Sequence, residues 1–262
     1  MESNAIEIRS LCKHYKGFSL DDLNLDLPYG CVLGLVGENG AGKSTTIRLI
    51  MDTLERDGGT VSVLGTDNRS KEFLDLKEDI GVVLDETFVP EVINARQMGK
   101  IMAGTYKNWD QAVYDGWIRR FELPLDKKFK DYSRGMTMKL GIAAALSHHP
   151  RLLLLDEATG GLDPMVREEL LEVFADFAAE EGHAVLLSSH IVSDLERICD
   201  YIAFLHKGRL VLCEEKDLLL DKYGILKCSK EQLANIPEEA IHGRRVGTYG
   251  VEALVEREFM PR

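Results

Sequence analysis

The chain has 262 residues, 45% hydrophobic and 29% charged, which suits one large or two small globular domains and excludes whole-chain disorder, collagen or coiled coil. Its 32 basic and 44 acidic side chains leave a formal charge of −12, which opposes binding to nucleic-acid phosphates, and no compensating basic patch stands out. Five scattered cysteines without a CxxC pair argue against a disulfide framework and a zinc site, and with no apolar leader and no long aliphatic run the expected setting is a reducing cytosol with no membrane span.

In chain order, residues 5–11 and 18–27 read as strands, the second alternating Leu23, Leu25 and Leu27 before a Pro28-Tyr29-Gly30 turn. An apolar run at 31–36 leads into a glycine-rich loop, and residues 42–54 have helical spacing through Ile47, Ile50 and Leu54. After Asp57-Gly58-Gly59 come a strand at 60–64, a charged helix near 69–77 and an apolar strand at 80–84. From 87 to 150 helical periodicity dominates, at 94–106, 109–121 and 134–147, and this reads as an all-helical insert. Four leucines at 152–155 restore strand character. They are followed by a helix opened by Pro164, with Val166, Leu170, Val173, Phe174 and Phe177 on one stripe. Strands at 184–188, 201–205 and 210–213 complete an alternating pattern that predicts an α/β fold, a mainly parallel sheet covered on both faces. The expected division is residues 1–213, with a core of 1–84 and 150–213 around a helical subdomain at 85–149, and a small C-terminal extension at 214–262.

Gly37-Glu38-Asn39-Gly40-Ala41-Gly42-Lys43-Ser44 fits GxxxxGK[ST], placed between a predicted strand and a predicted helix as that motif requires. The glycines let backbone N–H groups turn inward on a polyphosphate, and the helix start aims its positive dipole end at the same charge. Lys43 then reaches the β- and γ-phosphates, Ser44 offers its hydroxyl to Mg²⁺, and Thr45 follows in the same turn. A glycine-rich turn with a solvated lysine is the plain alternative. The leucine run ends in Asp156-Glu157 at the carboxyl edge of the sheet, where open α/β folds place ligands. Asp156 suits the Mg²⁺ shell opposite Ser44, and Glu157 suits the base that takes a proton from water attacking the γ-phosphate. Alone, two such acids read equally as solvated turn residues.

Four further features resemble the ATP-binding cassette (ABC) family and come in that family's order. Tyr15 matches the aromatic position that stacks on adenine. Tyr132-Ser133-Arg134-Gly135-Met136 matches the signature usually written LSGGQ. Glu157-Ala158-Thr159-Gly160-Gly161-Leu162-Asp163-Pro164 resembles the Walker B glutamate running into the D-loop, and Ser188-Ser189-His190 resembles the H-loop, whose histidine contacts the γ-phosphate and holds glutamate and water.

The resemblance covers residues 5 to 213. It implies the ABC ATPase fold: a P-loop NTPase core with a mainly parallel sheet, an antiparallel β edge subdomain and an all-helical insert. It also implies a Mg²⁺-dependent ATPase with Glu157, His190 and Lys43 as catalytic residues, ATP held by Tyr15 and residues 37–45, and Mg²⁺ by Ser44 and Asp156. Ser133 and Gly135 would complete the site of a second copy, so two cassettes, identical or related, would close around two ATP. A polytopic membrane subunit is the implied partner, with the chain peripheral on the cytoplasmic face of the cell membrane.

Two departures stand out. Where the family has its Q-loop glutamine this chain has Asp85-Glu86, leaving Asp85 either a metal ligand or a plain loop acid. In the signature, Arg134 replaces a glycine and Met136 a glutamine. Similar departures belong to the drug, bacteriocin or lantibiotic export and immunity branch. The competing readings are a soluble cassette ATPase acting on ribosomes or DNA, opposed by the acidic charge, and a nucleotide-gated regulatory module without turnover.

Overall fold

Alternating leucines build the first sheet. In the computed structural model, which describes residues 4–85, 90–247 and 250–260, β1 (Asn4–Tyr15) and β2 (Phe18–Pro28) pair antiparallel and bury Ile6, Ile8 and Leu11 with Leu20, Leu23, Leu25 and Leu27. β3 (Val32–Val36) is buried almost throughout and delivers the chain through the glycine-rich loop into α1 (Lys43–Ile50). β4 (Gly58–Val63) and β5 (Thr66–Asp67) then complete an antiparallel sheet of order β2-β1-β4-β5.

The helix expected to reach residue 54 ends at Ile50 because of a distant side chain. Asn68, buried, donates from Nδ2 to the carbonyls of Leu49 (2.7 Å) and Ile50 (3.0 Å), and its Oδ1 accepts from Arg56. That amide satisfies the last carbonyls a helix leaves open. The helix expected near 69–77 shrinks to the four-residue α2 (Phe73–Leu76), which continues only as a 3₁₀ turn to Asp79. Phe73 is buried and Leu76 packs partly buried beside the same cluster, but Leu74 is 75% exposed, so the segment offers too short an apolar stripe for a longer amphipathic helix.

After β6 (Ile80–Val83) come the helices of the insert, α3 (Ala95–Thr105), α4 (Gln111–Arg120) and α5 (Arg134–Leu146). Each begins on a side-chain cap, Asn94, Asp110 and Ser133 respectively, which accounts for their sharp starts. β7 (Leu152–Asp156), α6 (Pro164–Ala179), β8 (Ala184–Ser189), α7 (Val192–Ile198), β9 (Tyr201–His206) and β10 (Arg209–Glu215) follow. The central sheet has order β10-β9-β3-β8-β7-β6, and β9, β3, β8, β7 and β6 run parallel. The α/β fold is therefore as expected, a mainly parallel sheet beside an antiparallel one.

Both faces of that sheet are covered. Leu152 and Leu154 point into an apolar cluster shared with α1 and the antiparallel sheet, while Leu153 and Leu155 join one shared with α6 and the insert helices. Full burial of each such side chain contributes roughly 1.5–3 kcal/mol.

Register aligns the strand ends that matter. Val36 pairs with Ser189, Ser188 with Asp156, and Leu155 with Val83. Successive carboxyl ends of β3, β8, β7 and β6 thus release Gly37, His190, Glu157 and the segment to Asp85 side by side, the edge where open α/β sheets bind ligands.

The chain divides into two units, Met1–Cys213 and Glu214–Arg262. The second holds α8 (Lys216–Lys222), β11 (Tyr223–Cys228), α9 (Lys230–Leu233), β12 (Ile241–Val246) and β13 (Val251–Glu256), with an antiparallel sheet of order β11-β13-β12. Val251, Ala253 and Val255 alternate inward onto Leu233. Among the described residues no helix is long and apolar enough to cross a membrane.

Candidate active site

The glycine-rich loop is shaped by close approach. A Cβ on Gly37 would sit 2.4 Å from the Leu205 carbonyl oxygen, so the loop can leave β3 against β9 only with glycine there. Gly42 has φ +114° at the cap position of α1, with the Phe18 ring 3.0 Å from where its Cβ would be. The amide of Ala41 donates to Glu38 O (3.0 Å), and Glu38, Asn39 and Gly40 stand exposed at the tip. Because the cap is a glycine, no side chain accepts from the first amides of α1, and its first turn carries no acid. An anion is the fitting partner for those amides. Ser44 and Thr45 are half-buried in that turn.

Lys43 is buried, and its Nζ donates to Gly37 O (2.8 Å) and Glu38 O (3.4 Å). The same Nζ lies 3.1 Å from Glu157 Oε1. Glu157 has φ +51°, a left-handed conformation that swings its carboxylate off the strand line toward Lys43 and His190. Its Oε2 is 2.6 Å from His190 Nδ1, while the His190 ring remains half-exposed. Burial pushes the Glu157 carboxyl up, but hydrogen bonds from Lys43 and His190 and their charges outweigh it and hold the group below its ordinary value.

Asp156 is buried at the last position of β7, and its Oδ1 accepts from Ser188 Oγ at 2.6 Å. Ser188 also takes the Glu157 amide, at 3.1 Å to its carbonyl oxygen and 3.1 Å to Oγ. Ser188 therefore locks Asp156 and Glu157 to the strand that carries His190. In the sequence Ser188 stands only at the end of a predicted strand, in the stretch that resembles the H-loop; its role depends on β8 lying beside β7.

Tyr15 ends β1, 45% exposed, paired in register with Phe18, their ring centroids 6.3 Å apart. Since Phe18 reaches Gly42, the chain brings Tyr15 to the same side as the loop. Lys13 Nζ stands 5.6 Å from the Tyr15 ring centre.

Ser133 is exposed and caps α5, accepting from the Met136 amide at 3.2 Å, and Gly135 faces Val166 and Leu162. Between them, Arg134 Nη2 donates to Asp85 Oδ1 at 2.5 Å. The sequence alone leaves Asp85 a metal ligand or a loop acid and does not show this contact. Glu86 lies outside the described residues.

The protein belongs to the ABC transporter family, whose sequence pattern it matches over residues 20–160. It is 32% identical over 269 residues to the ABC transporter ATP-binding protein YhcH of Bacillus subtilis, spanning 98% of this chain and 85% of that one. The lantibiotic transport ATP-binding protein SrtF of Streptococcus pyogenes is 34% identical over 215 residues, 81% of this chain and 91% of SrtF. Among solved structures, an ATP-binding subunit of an ABC transporter superposes with a TM-score of 0.74 at 28% identity, covering 82% of this chain and 91% of the other. The chain is thus an ATP-binding and ATP-hydrolysing cassette of the kind that powers a transporter.

Proposed function

We propose that hydrolysis at this cassette is carried by Glu157 as the base, held by His190, with Lys43 and the amides of residues 37–45 gripping the phosphates and Tyr15 stacking on adenine. The observation that supports this most is the convergence of Lys43 and His190 on one largely enclosed carboxylate at the strand edge. A γ-phosphate that takes Lys43 releases Glu157 from its cation and leaves it, still oriented by His190, free to take a proton from the water that attacks the γ-phosphorus. The Ser44 hydroxyl and Asp156 carboxylate are hard oxygen donors on α1 and β7, which pack together, and so fit Mg²⁺. When bound, Mg²⁺ neutralises charge on the β- and γ-phosphates.

Ser133 and the amide of Gly135 form a second amide-rich helix start, and its phosphate would be the one held by another copy. Two cassettes, identical or related, then close on two ATP, and loss of the γ-phosphate reopens them. A separate polytopic membrane subunit would convert this cycle into transport, docked on the helical insert at 85–149, with the cassette peripheral on the cytoplasmic face and the unit at 214–262 outside the ATPase core. The cargo class we assign is the peptide antibiotics, supported by the departures at Asp85 and Arg134 and by the likeness to SrtF.

The test is phosphate release and light scattering with Mg²⁺ and ATP. Glu157→Gln is expected to lose turnover by about 100-fold or more while accumulating ATP-bound dimers; turnover at the wild-type rate would remove Glu157 from its role.

A further inference from the structure

The two charged residues at which the chain leaves the ABC pattern meet each other. Asp85 stands just beyond β6 where the pattern has glutamine, and Arg134 is the first residue of α5 where it has glycine; their ion pair of 2.5 Å spans 49 residues. The same guanidinium covers the turn that follows Glu157. A Cβ on Gly161 would lie 3.4 Å from Arg134 Nε and 3.5 Å from its Cζ, and one on Gly160 would lie 3.7 Å from Nη2. That turn closes on Glu157 itself, through the Gly160 amide and the Glu157 carbonyl at 3.0 Å. One side chain at the start of the signature helix therefore pairs with the segment just beyond β6 and lies over the loop that bears the proposed base.

We propose that Asp85 and Arg134 are a positioning pair for hydrolysis: Asp85 fixes the guanidinium, the guanidinium holds the Gly160-Gly161 turn, and the turn holds Glu157. The proposal rests on Glu157 being the base. It makes Asp85 the anion for Arg134 rather than a ligand of Mg²⁺, and it joins the helical insert to the catalytic carboxylate through a contact that a glycine in the signature cannot make. The effect runs through geometry: the side chains in contact with the Glu157 carboxylate are Lys43 and His190, and Arg134 reaches it only through the turn.

Exposure sets the size. The Arg134 and Asp85 side chains are 53% and 46% exposed, so water screens the pair and it contributes at most about 1 kcal/mol to folding. The same amount spent on orienting a base is about fivefold in rate.

The experiment is steady-state ATPase kinetics of the full chain with Mg²⁺, comparing Asp85→Asn, Arg134→Gln, their double variant, Arg134→Lys and the charge swap Asp85→Arg with Arg134→Asp, with Glu157→Gln alongside. Each single neutralisation is expected to lower kcat about fivefold at nearly constant KM for ATP, and the double variant to be no worse than either single. Arg134→Lys is expected to recover most of the rate, whereas the charge swap, which takes the cation away from the Gly160-Gly161 turn, is expected to stay as low as the single neutralisations, with thermal midpoints within about 3 °C of wild type throughout. Single variants at full kcat, losses that multiply in the double variant, or losses carried by KM would overturn the pair while an inactive Glu157→Gln leaves the base in place. An active Glu157→Gln would overturn the base, and the pair with it.

Discussion

Lys43 Nζ lies 3.1 Å from Glu157 Oε1, so the lysine of the glycine-rich loop and the carboxylate proposed as the base neutralise each other across the loop. Any phosphate must compete for that lysine. The carboxylate is nearly buried and tied to His190 by its other oxygen, which gives its charge a consequence for stability.

Because Glu157 is held below its ordinary value, its ionised form favours the folded chain. The contribution is full above the unfolded carboxyl pKa and is lost as pH falls through the lower folded value. Thermal midpoints measured from pH 7 down to about pH 3 should therefore decline less steeply on the acid side in Glu157→Gln than in wild type. Parallel acid limbs would remove this carboxylate from the account.

Ser188 carries two hydrogen bonds that hold the acidic strand end. Ser188→Ala leaves buried Asp156 Oδ1 without its donor, a loss of about 1–3 kcal/mol, read as a midpoint lower by roughly 3–8 °C. ATPase turnover should fall with it, since Asp156 loses its hydroxyl partner and Glu157 keeps only the backbone carbonyl at residue 188.

The exposed ring of Tyr15 has little to do for the core. Tyr15→Ala should raise KM for ATP about tenfold with kcat nearly unchanged, as expected for lost base stacking, and Tyr15→Trp should restore it. A fall in kcat at constant KM would place the ring elsewhere in the cycle.

Asn68 acts at the other end of α1 from Lys43. Asn68→Ala removes a donor from two carbonyls and leaves Arg56 Nη1 without its acceptor while Nη2 keeps Asp67, so it should destabilise the chain by about 2–3 kcal/mol in urea unfolding while leaving KM for ATP unchanged. Preserved stability would show that water replaces the amide without loss.

Much of this was legible in the residues because strand, loop and helix sit in unbroken local order. The β3 run, residues 37–44 and α1 are contiguous, and so are the β7 leucines with Asp156-Glu157. What stayed hidden depends on contacts between distant segments. The end of α1 is set by Asn68, 18 residues beyond Ile50, and Asp85 finds Arg134 only once β6 and α5 are packed. In the second unit β13 alternates cleanly, but β12 exposes nearly every residue and so carries no period to read.

Leu153 and Leu155 share one apolar cluster with Tyr114 and Phe129 of the insert and Phe174 of α6. Subdomains that own a common interior do not melt separately. Slowly exchanging amide protons in α4, α5 and α6 should therefore report a single opening free energy, and excising the insert would uncover part of one face of the sheet rather than liberate an independent module.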